Sequence, residues 1–477
     1  MPGAGTVRQD LAASVVVALV ALPLCVGVAV ASGVPAELGL VTGVVGGLVT
    51  GWFRSSALQV SGPAAGLTVL VYEAVAVHGL AALGVLVCAA GLVQVVLGLL
   101  RFGRWFRAVS VAVVQGMLAG IGLVLITGQL YVVGDAAAPG STLAKLGGLV
   151  DLGGRVEWTA VALGAGTVAV MVLWPRLPRA VSGLVPGALV AVAAATGATA
   201  VFALPVAKVE VSGVLAAVSP PGGAELAALW SPGALATVSA LALIASAETL
   251  FSAAAVDRLH DGPRTEYDRE LVAQGAGNTL CGLLGALPMT AVIVRSAANV
   301  EAGARTRASR ILHGVWLLLF AVLLPGTLEA VPVAALAGVL LFAGWKLLPL
   351  RAVGSLWRSH RGEAVVLVVT AGAIVTTNLF EGVLVGLGLA VAKSAWETSH
   401  VHIEVVPEGA GLRVRVLGNA TFLRLPKLME ALEGVPVDRV VRLDLRGLRH
   451  LDHACLTALE GWGRERGVEP EGVAGVG

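Results

Sequence analysis

The chain has 477 residues, 57% of them hydrophobic and 13% charged, with a formal net charge of +2 and a mean hydropathy of +0.89. Soluble domains carry about a quarter charged residues, so this composition indicates a membrane protein, and so small a net charge offers nucleic acid no electrostatic footprint. Four cysteines (Cys25, Cys88, Cys281, Cys455) form no CxxC pair, which argues against disulfides or zinc and for packed thiols.

The polar start Met1–Asp10 passes into an apolar run that continues beyond any plausible cleavage point, so a first membrane helix is predicted and not a signal peptide. Apolar blocks lie near 11–31, 35–53, 62–77, 80–100, 107–133, 157–174, 182–204, 232–256, 269–287, 289–300, 309–326, 331–349, 363–377 and 379–395. A full crossing needs ~20 apolar residues. Counting the third and tenth blocks as partial spans gives fourteen segments. Basic residues fall at alternate junctions. Arg101, Arg104 and Arg107 follow the fourth block, Arg176 and Arg179 the sixth, and Arg258, Arg264 and Arg269 surround the junction after the eighth. Arg305, Arg307 and Arg310 follow the tenth, and Arg351, Arg358 and Arg361 the twelfth. All then lie on one side, which the positive-inside rule makes the cytoplasm, together with both termini. The odd junctions, such as 134–157 and 205–221, are poor in Arg and rich in Gly, Pro and Ala.

The two partial spans are Gln59-Val-Ser-Gly-Pro-Ala-Ala-Gly-Leu67 and Leu287-Pro-Met-Thr-Ala-Val-Ile-Val-Arg-Ser-Ala-Ala-Asn299. Interrupted segments at matching places in two halves point to a substrate site between half-helices. A helix that starts in mid-membrane presents free N–H groups at the positive end of its dipole, which attract an anion. Pro23 lies 40 residues before Pro63, and Glu248 lies 40 before Pro288. The repeats, about 10–204 and 232–397, thus each run long helix, connecting helix, broken helix. Seven segments per half is an odd number, so the second half must be inverted, the architecture of alternating-access transporters.

Near Ser399 the pattern changes. Val401–Val406 and Leu412–Leu417 alternate as half-buried strands, Thr421–Leu432 has helical spacing, Val440–Leu445 reads as a third strand and Ala454–Trp462 as a second helix. The division expected is a membrane domain over 1–398 and a small cytosolic α/β domain over 399–477.

The motifs Leu22-Pro-Leu, Ala31-Ser-Gly-Val-Pro, Gln59-Val-Ser-Gly-Pro and Gln115-Gly-Met-Leu-Ala-Gly-Ile-Gly-Leu resemble the SulP family of anion transporters. The runs Glu248–Arg258, Asp268–Asn278 and Arg295–Thr306 are the stronger matches, and the tail is similar to the STAS domain of that family. The resemblance implies a fourteen-segment, seven-plus-seven inverted repeat with core and gate domains, usually dimeric. It also implies cargo among sulfate, bicarbonate, chloride and dicarboxylates, often with sodium or proton coupling. The tail departs from the STAS pattern by ending in the Gly-rich Gly472–Gly477, and by carrying Asp452-His-Ala-Cys where STAS regulators have a phosphorylatable Ser or Thr.

The site residues follow from the breaks. Ser61, Gly62, Ala64, Ala65 and Gly66 on one side and Thr290, Ala291 and Val292 on the other would offer backbone donors, with Ser61 and Thr290 as hydroxyl donors. Arg295 either helps to hold the anion or pairs with Glu248 when the site is empty. Glu248, in mid-helix with Ser252 one turn on, is an ion-coupling candidate, the bland alternative being a buried carboxyl that ties two helices together. The resemblance implies cation binding at Glu248 and a site-facing position for Val28, which is otherwise ordinary packing. Gln274 and Asn278 line a polar seam or join helices. Asn299 would cap its segment, Asp268, Arg269 and Glu270 would form a cytoplasmic ion-pair cluster, and Glu73 and Glu381 read as interface groups.

No HExxH, GxSxG or Walker loop is present, so an embedded enzyme is disfavoured. A nucleobase permease would lack the tail and Arg295. An uncoupled channel would leave Glu248 without a task. The reading is therefore a secondary active transporter of a small inorganic oxyanion, sulfate or bicarbonate, the alternatives being a dicarboxylate transporter or an uncoupled anion channel, with a nucleobase permease behind them. It would sit as a homodimer in a bacterial inner membrane, coupled to Na+ or H+, with no metal or other cofactor and no nucleic acid partner.

Overall fold

The computed structural model describes residues 4–106, 110–139, 141–178, 185–211, 213–409, 411–436, 439–469 and 471. Arg107, Arg179 and Gly472–Gly477, named above, lie outside the described residues. The chain divides into two compact units, Met1–Gly386 and Leu387–Gly477.

Up to Thr398, every apolar block of the sequence becomes a helix, or a strand followed by a helix, the last helix running past Gly386 into the second unit. The first half holds α1 (Ala4–Ala31), α2 (Ala36–Trp52), β1 (Ser61–Pro63) with α3 (Thr68–His78), α4 (Leu80–Leu99) and α5 (Val111–Val133). The short α6 (Thr142–Gly148) then leads to α7 (Trp158–Leu173) and α8 (Gly187–Val201). The second half holds α9 (Pro232–Val256), α10 (Tyr267–Leu283), β2 (Met289–Ala291) with α11 (Ile293–Glu301), α12 (Ala308–Leu323), α13 (Val333–Leu347), α14 (Arg361–Thr376) and α15 (Leu379–Thr398). Six of the described helices are long and apolar enough to cross a membrane, and five more are apolar but shorter.

The packing repeats itself with the halves exchanged. α4 lies along α10 as α12 lies along α2; α9 meets α4 as α1 meets α12; and α5 packs on α14 as α13 packs on α7. α5 and α13, the fifth segment of each half, pack on each other. This is the inverted repeat expected from two seven-segment halves. The contacts also sort the helices. α1–α4 with α9–α12 form one group, and α5, α7, α8, α13 and α14 another, meeting along α1 and α13.

The α4–α10 pair is held at backbone distance by glycine. A Cβ on Gly91 would lie 2.7 Å from the Gly275 carbonyl oxygen, and one on Gly275 would lie 2.7 Å from that of Gly91. Where the surroundings are as apolar as the side chains, close packing of small residues drives helix association.

In the second unit, β3 (Val401–Glu408), β4 (Gly411–Ala420) and β5 (Val441–Leu451) form a sheet in that order, with β3 antiparallel and β5 parallel to β4. A parallel pair needs a crossover, supplied by α16 (Leu425–Glu433), whose Leu428 and Leu432 face Val414, Val416 and Leu443 in the core. α17 (His453–Arg466) follows β5 and buries Cys455, Leu459 and Trp462. Among the described residues, pairing beyond β5 consists of Glu471 against Leu443 and Leu445. Asp452 caps α17, accepting the Cys455 N–H at 2.8 Å and that of Phe422. Burial opposes ionisation there, but these N–H donors outweigh it and hold Asp452 below its ordinary value. Burial and Asp452 together push the Cys455 thiol up to about 12. At the β5 bend the Arg446 guanidinium grips Asp444 at 2.8–2.9 Å and lowers its carboxyl to about 2.

Two expectations follow. Gly275→Val should cost about 1–3 kcal/mol by overpacking, read as a lower melting temperature in detergent; an unchanged value would mean that α4 and α10 do not touch there. Asp444 has a depressed folded-state pKa, so its stabilisation is present above the unfolded value and lost as pH falls from about 4 toward 2. Hydrogen-exchange protection over Val441–Leu451 in the full chain, relative to the intrinsic rate at each pH, should therefore fall across that window, and Asp444→Asn should flatten the dependence.

Candidate functional site

The two broken segments meet. β1 and β2 pair antiparallel, Ser61 opposite Ala291, Gly62 opposite Thr290 and Pro63 opposite Met289. The Val292 N–H donates to the Val60 carbonyl at 2.9 Å and extends the ladder. Backbone that is not helical has no internal partners and needs them from elsewhere at membrane depth. Proline and glycine keep both segments from closing as helices at this point, and each serves as the other's partner.

Side chains from three helices clamp the pair. Asn278 on α10 donates to the Met289 carbonyl at 3.1 Å and accepts the Met289 N–H at 2.7 Å, as a neighbouring strand would. Its amide also donates to Gln94 on α4 at 2.7 Å, and Gln94 donates to Ser246 on α9 at 3.1 Å. Gln274, one turn before Asn278, donates to Ser61 Oγ at 2.5 Å and to Glu270 Oε1 at 2.8 Å. From α9, the Thr249 hydroxyl accepts the Ala291 N–H at 3.4 Å, while Gln59 donates to the Thr249 carbonyl at 3.2 Å. From α11, Ser296 accepts the Val60 N–H at 2.9 Å. The sequence singled out Gln274 and Asn278 but missed Gln94, Thr249 and Ser296. For Gln94 the available signal was a lone amide in an otherwise apolar helix.

Glu248 is brought directly to the break. A Cβ on Gly66 would lie 2.5 Å from its Oε1 and 2.8 Å from its Oε2, so only glycine lets the carboxyl reach the backbone that opens α3. The positive end of a helix dipole favours an acid in that place. The Thr290 hydroxyl lies beside the carboxyl, while Oε2 has no hydrogen-bond partner among the described residues. Ser252, Ala64, Thr290, Ala291 and Val28 are buried, and Ala65 and Val292 are half-buried. Val28 packs in one cluster with Leu67, Met289 and Leu241.

Arg295 is fully buried on α11 and lies along β1, donating to the Pro63 carbonyl at 3.2 Å, with Nη1 against Gly62. Its Nε and Nη1 have no hydrogen-bond partner among the described residues. The alternative pairing with Glu248 is not found among the described ion pairs. The site thus brings a cation with no ion-pair partner among the described residues and an acid, from two different helices, to the same break.

Other expectations are corrected. Asn299 is not an end cap; it is buried within α11 and donates to the Leu58 carbonyl at 2.9 Å, fastening the approach to β1. Asp268, Arg269 and Glu270 form no cluster, because helical geometry points them in three directions. Asp268 accepts the Gly103 N–H, Arg269 pairs with Glu266, and buried Glu270 accepts from Ser55 and Gln274. Arg310 is not a loop charge; it is buried in α12 and donates to the Ser56 carbonyl and the Thr50 hydroxyl.

Residues 7–370 match the model of the sulfate permease family. The chain belongs to that family. The resemblance seen in the motifs is thereby confirmed, and the family's members are transporters, not enzymes. The putative sulfate transporter YvdB of Bacillus subtilis (strain 168) is 28% identical over 395 residues, spanning 80% of this chain and 72% of that protein. The bicarbonate transporter BicA of Picosynechococcus sp. is 29% identical over 408 residues, spanning 81% of this chain and 69% of that protein. In fold, the chain is similar to the murine Solute Carrier 26 family member A9 anion transporter in its inward-facing state, with a TM-score of 0.84 at 16% identity over 98% of this chain and 86% of that one. The family match spans both breaks, Glu248 and Arg295, and ends before the small α/β unit.

Asn278→Leu should leave the Met289 N–H and carbonyl unpaired at about 1–3 kcal/mol each. A lower melting temperature with loss of transport is the expected result, and wild-type behaviour in both would mean that the strands hold without the clamp.

Proposed function

We propose that the protein is a secondary active transporter of a small inorganic oxyanion, sulfate or bicarbonate. The observation that carries the reading is the meeting of Glu248 with Gly66 at the opening of α3, on the same strand pair that holds the unpaired Arg295. An anion bound there gains the open end of α3 at Ala64–Gly66, the hydroxyls of Ser61 and Thr290, and the Arg295 guanidinium, while the Ala291 and Val292 N–H groups, expected as donors, are already taken by Thr249 and Val60. A coupling ion, H+ or Na+, neutralises Glu248, with Ser252 as a further oxygen. When the acid is charged and unneutralised, it repels the anion from the break; when it is neutralised, the anion is accepted. The named cargoes of YvdB and BicA, sulfate and bicarbonate, agree with this class of substrate.

Transport proceeds by movement of the α1–α4 and α9–α12 group against the other helices, carrying both breaks together since they are one ladder. The protein is placed in a bacterial cytoplasmic membrane as a homodimer, with both termini and the STAS-like tail, about 399–477, in the cytoplasm. The clusters Arg101/Arg104, Arg258/Arg264, Arg305/Arg307 and Arg351/Arg358 support that orientation.

The test is uptake of labelled sulfate and bicarbonate by proteoliposomes under imposed proton or sodium gradients. One anion driven by one gradient is expected, and Glu248→Gln should abolish accumulation while leaving exchange down a gradient measurable. Gradient-driven accumulation by Glu248→Gln would remove the acid from coupling. Failure of both anions with uptake of a dicarboxylate would move the cargo to that class.

A further inference from the structure

At the ends of α1, α3, α5, α13 and α14 remote from the basic junctions, the structure holds a cavity of about 520 Å³. Its wall includes Gly27, Thr68, Tyr72, Glu73, Gln129 and Lys145. Thr68 is the first residue of α3, directly after the break, and Gly27 is the neighbour of Val28, so the cavity ends against the site described above. Lys145 is the one basic residue on its described wall. It stands on α6, which is tied down by the Tyr131 hydroxyl donating to the Lys145 carbonyl at 2.6 Å. The ammonium lies 5.6 Å from the centre of the Tyr72 ring. No carboxylate oxygen comes within the 4.0 Å of an ion pair among the described residues. Glu73 is the acid that faces Lys145 across the cavity, and Glu381 stands near Glu73.

We propose that this cavity is the vestibule through which the anion reaches the break from the side opposite the basic junctions, and that Lys145 is the charge that collects it there. The proposal rests on the oxyanion-transport reading. A cation in a concave wall of low dielectric focuses the field into the opening and raises the local concentration of an anion and its rate of entry. Because its nearest acid stays beyond ion-pair distance, the Lys145 ammonium keeps donors for an arriving oxyanion. Tyr72 and Tyr131 fix where those donors stand. Glu73 works against the attraction, so the two charges set apparent affinity with opposite signs and without touching the anion at the break.

The test is initial-rate uptake by oriented proteoliposomes, with the anion that the wild type carries presented on either side, for Lys145→Gln, Lys145→Arg and Glu73→Gln. On the α6 side, Lys145→Gln should raise KM about 3–10-fold at unchanged maximal rate, and Glu73→Gln should lower it. Lys145→Arg should restore near-wild-type KM, and the effect should shrink in high salt. From the opposite side, KM should not move. A wild-type KM for Lys145→Gln, an equal change from both sides, or a higher maximal rate at constant KM would overturn the proposal, the last by making Lys145 a tether across the cavity. If Lys145→Gln fails to fold, Glu73→Gln alone decides, since an unchanged or raised KM contradicts the electrostatic account. No uptake of any small oxyanion by the wild type would overturn the transport reading itself, and this inference with it.

Discussion

Non-helical backbone at membrane depth must find hydrogen-bond partners inside the protein, and the ladder between β1 and β2 is how this chain meets that demand. The rest is arranged around it. α10 presents Asn278 and Gln274 to the strands, α4 and α9 brace Asn278 through Gln94 and Ser246, and α11 fastens the approach with Ser296 and Asn299. The glycines that let α4 and α10 approach to backbone distance put Gln94 within reach of Asn278. The helix packing and the polar clamp are therefore one construction. Because the two strands come from opposite halves, neither half can carry a complete site.

The charges obey the same economy. Arg310 and Glu270 are buried but bonded to Ser56, Thr50, Ser55 and Gln274, and they hold the segment that leads into β1. Arg295 and Glu248 differ in place: each lies against a glycine of the first break, Gly62 and Gly66. Among the described residues Arg310 Nε also lacks a hydrogen-bond partner, as do Arg295 Nε and Nη1 and Glu248 Oε2, so an unmet buried polar atom, costly as it is, does not by itself mark a binding group. Contact with the break separates the two pairs where burial does not, since Arg295 and Arg310 are both almost wholly inaccessible.

The segment count, the two breaks and the small α/β unit were legible because each is written in local periodicity or in proline and glycine. The prominence of Glu248 and Arg295 was legible because a charge within an apolar run stands out. Arg310 and Glu270 were misread for the same reason in reverse. Each sits beside other charges in sequence, which suggests a solvated loop, yet each lies in the first turn of a helix and is itself buried there, Glu270 beside an exposed Arg269. Asn299 was misread as a cap because a polar residue near the end of a short helix reads locally, while its actual partner, the Leu58 carbonyl, is 241 residues away in the chain.

By itself the sequence determined what elements form and where they break, since hydropathy, proline and glycine act over a few neighbouring residues. Only the tertiary structure decided that the breaks pair as strands, that an asparagine completes the ladder, that Glu248 faces Gly66 and not Arg295, and that Lys145 lines a cavity. The physical reason is that hydrogen bonds and charge contacts across hundreds of residues depend on which helices pack together. Packing through small, similar side chains leaves no periodic trace of its partner.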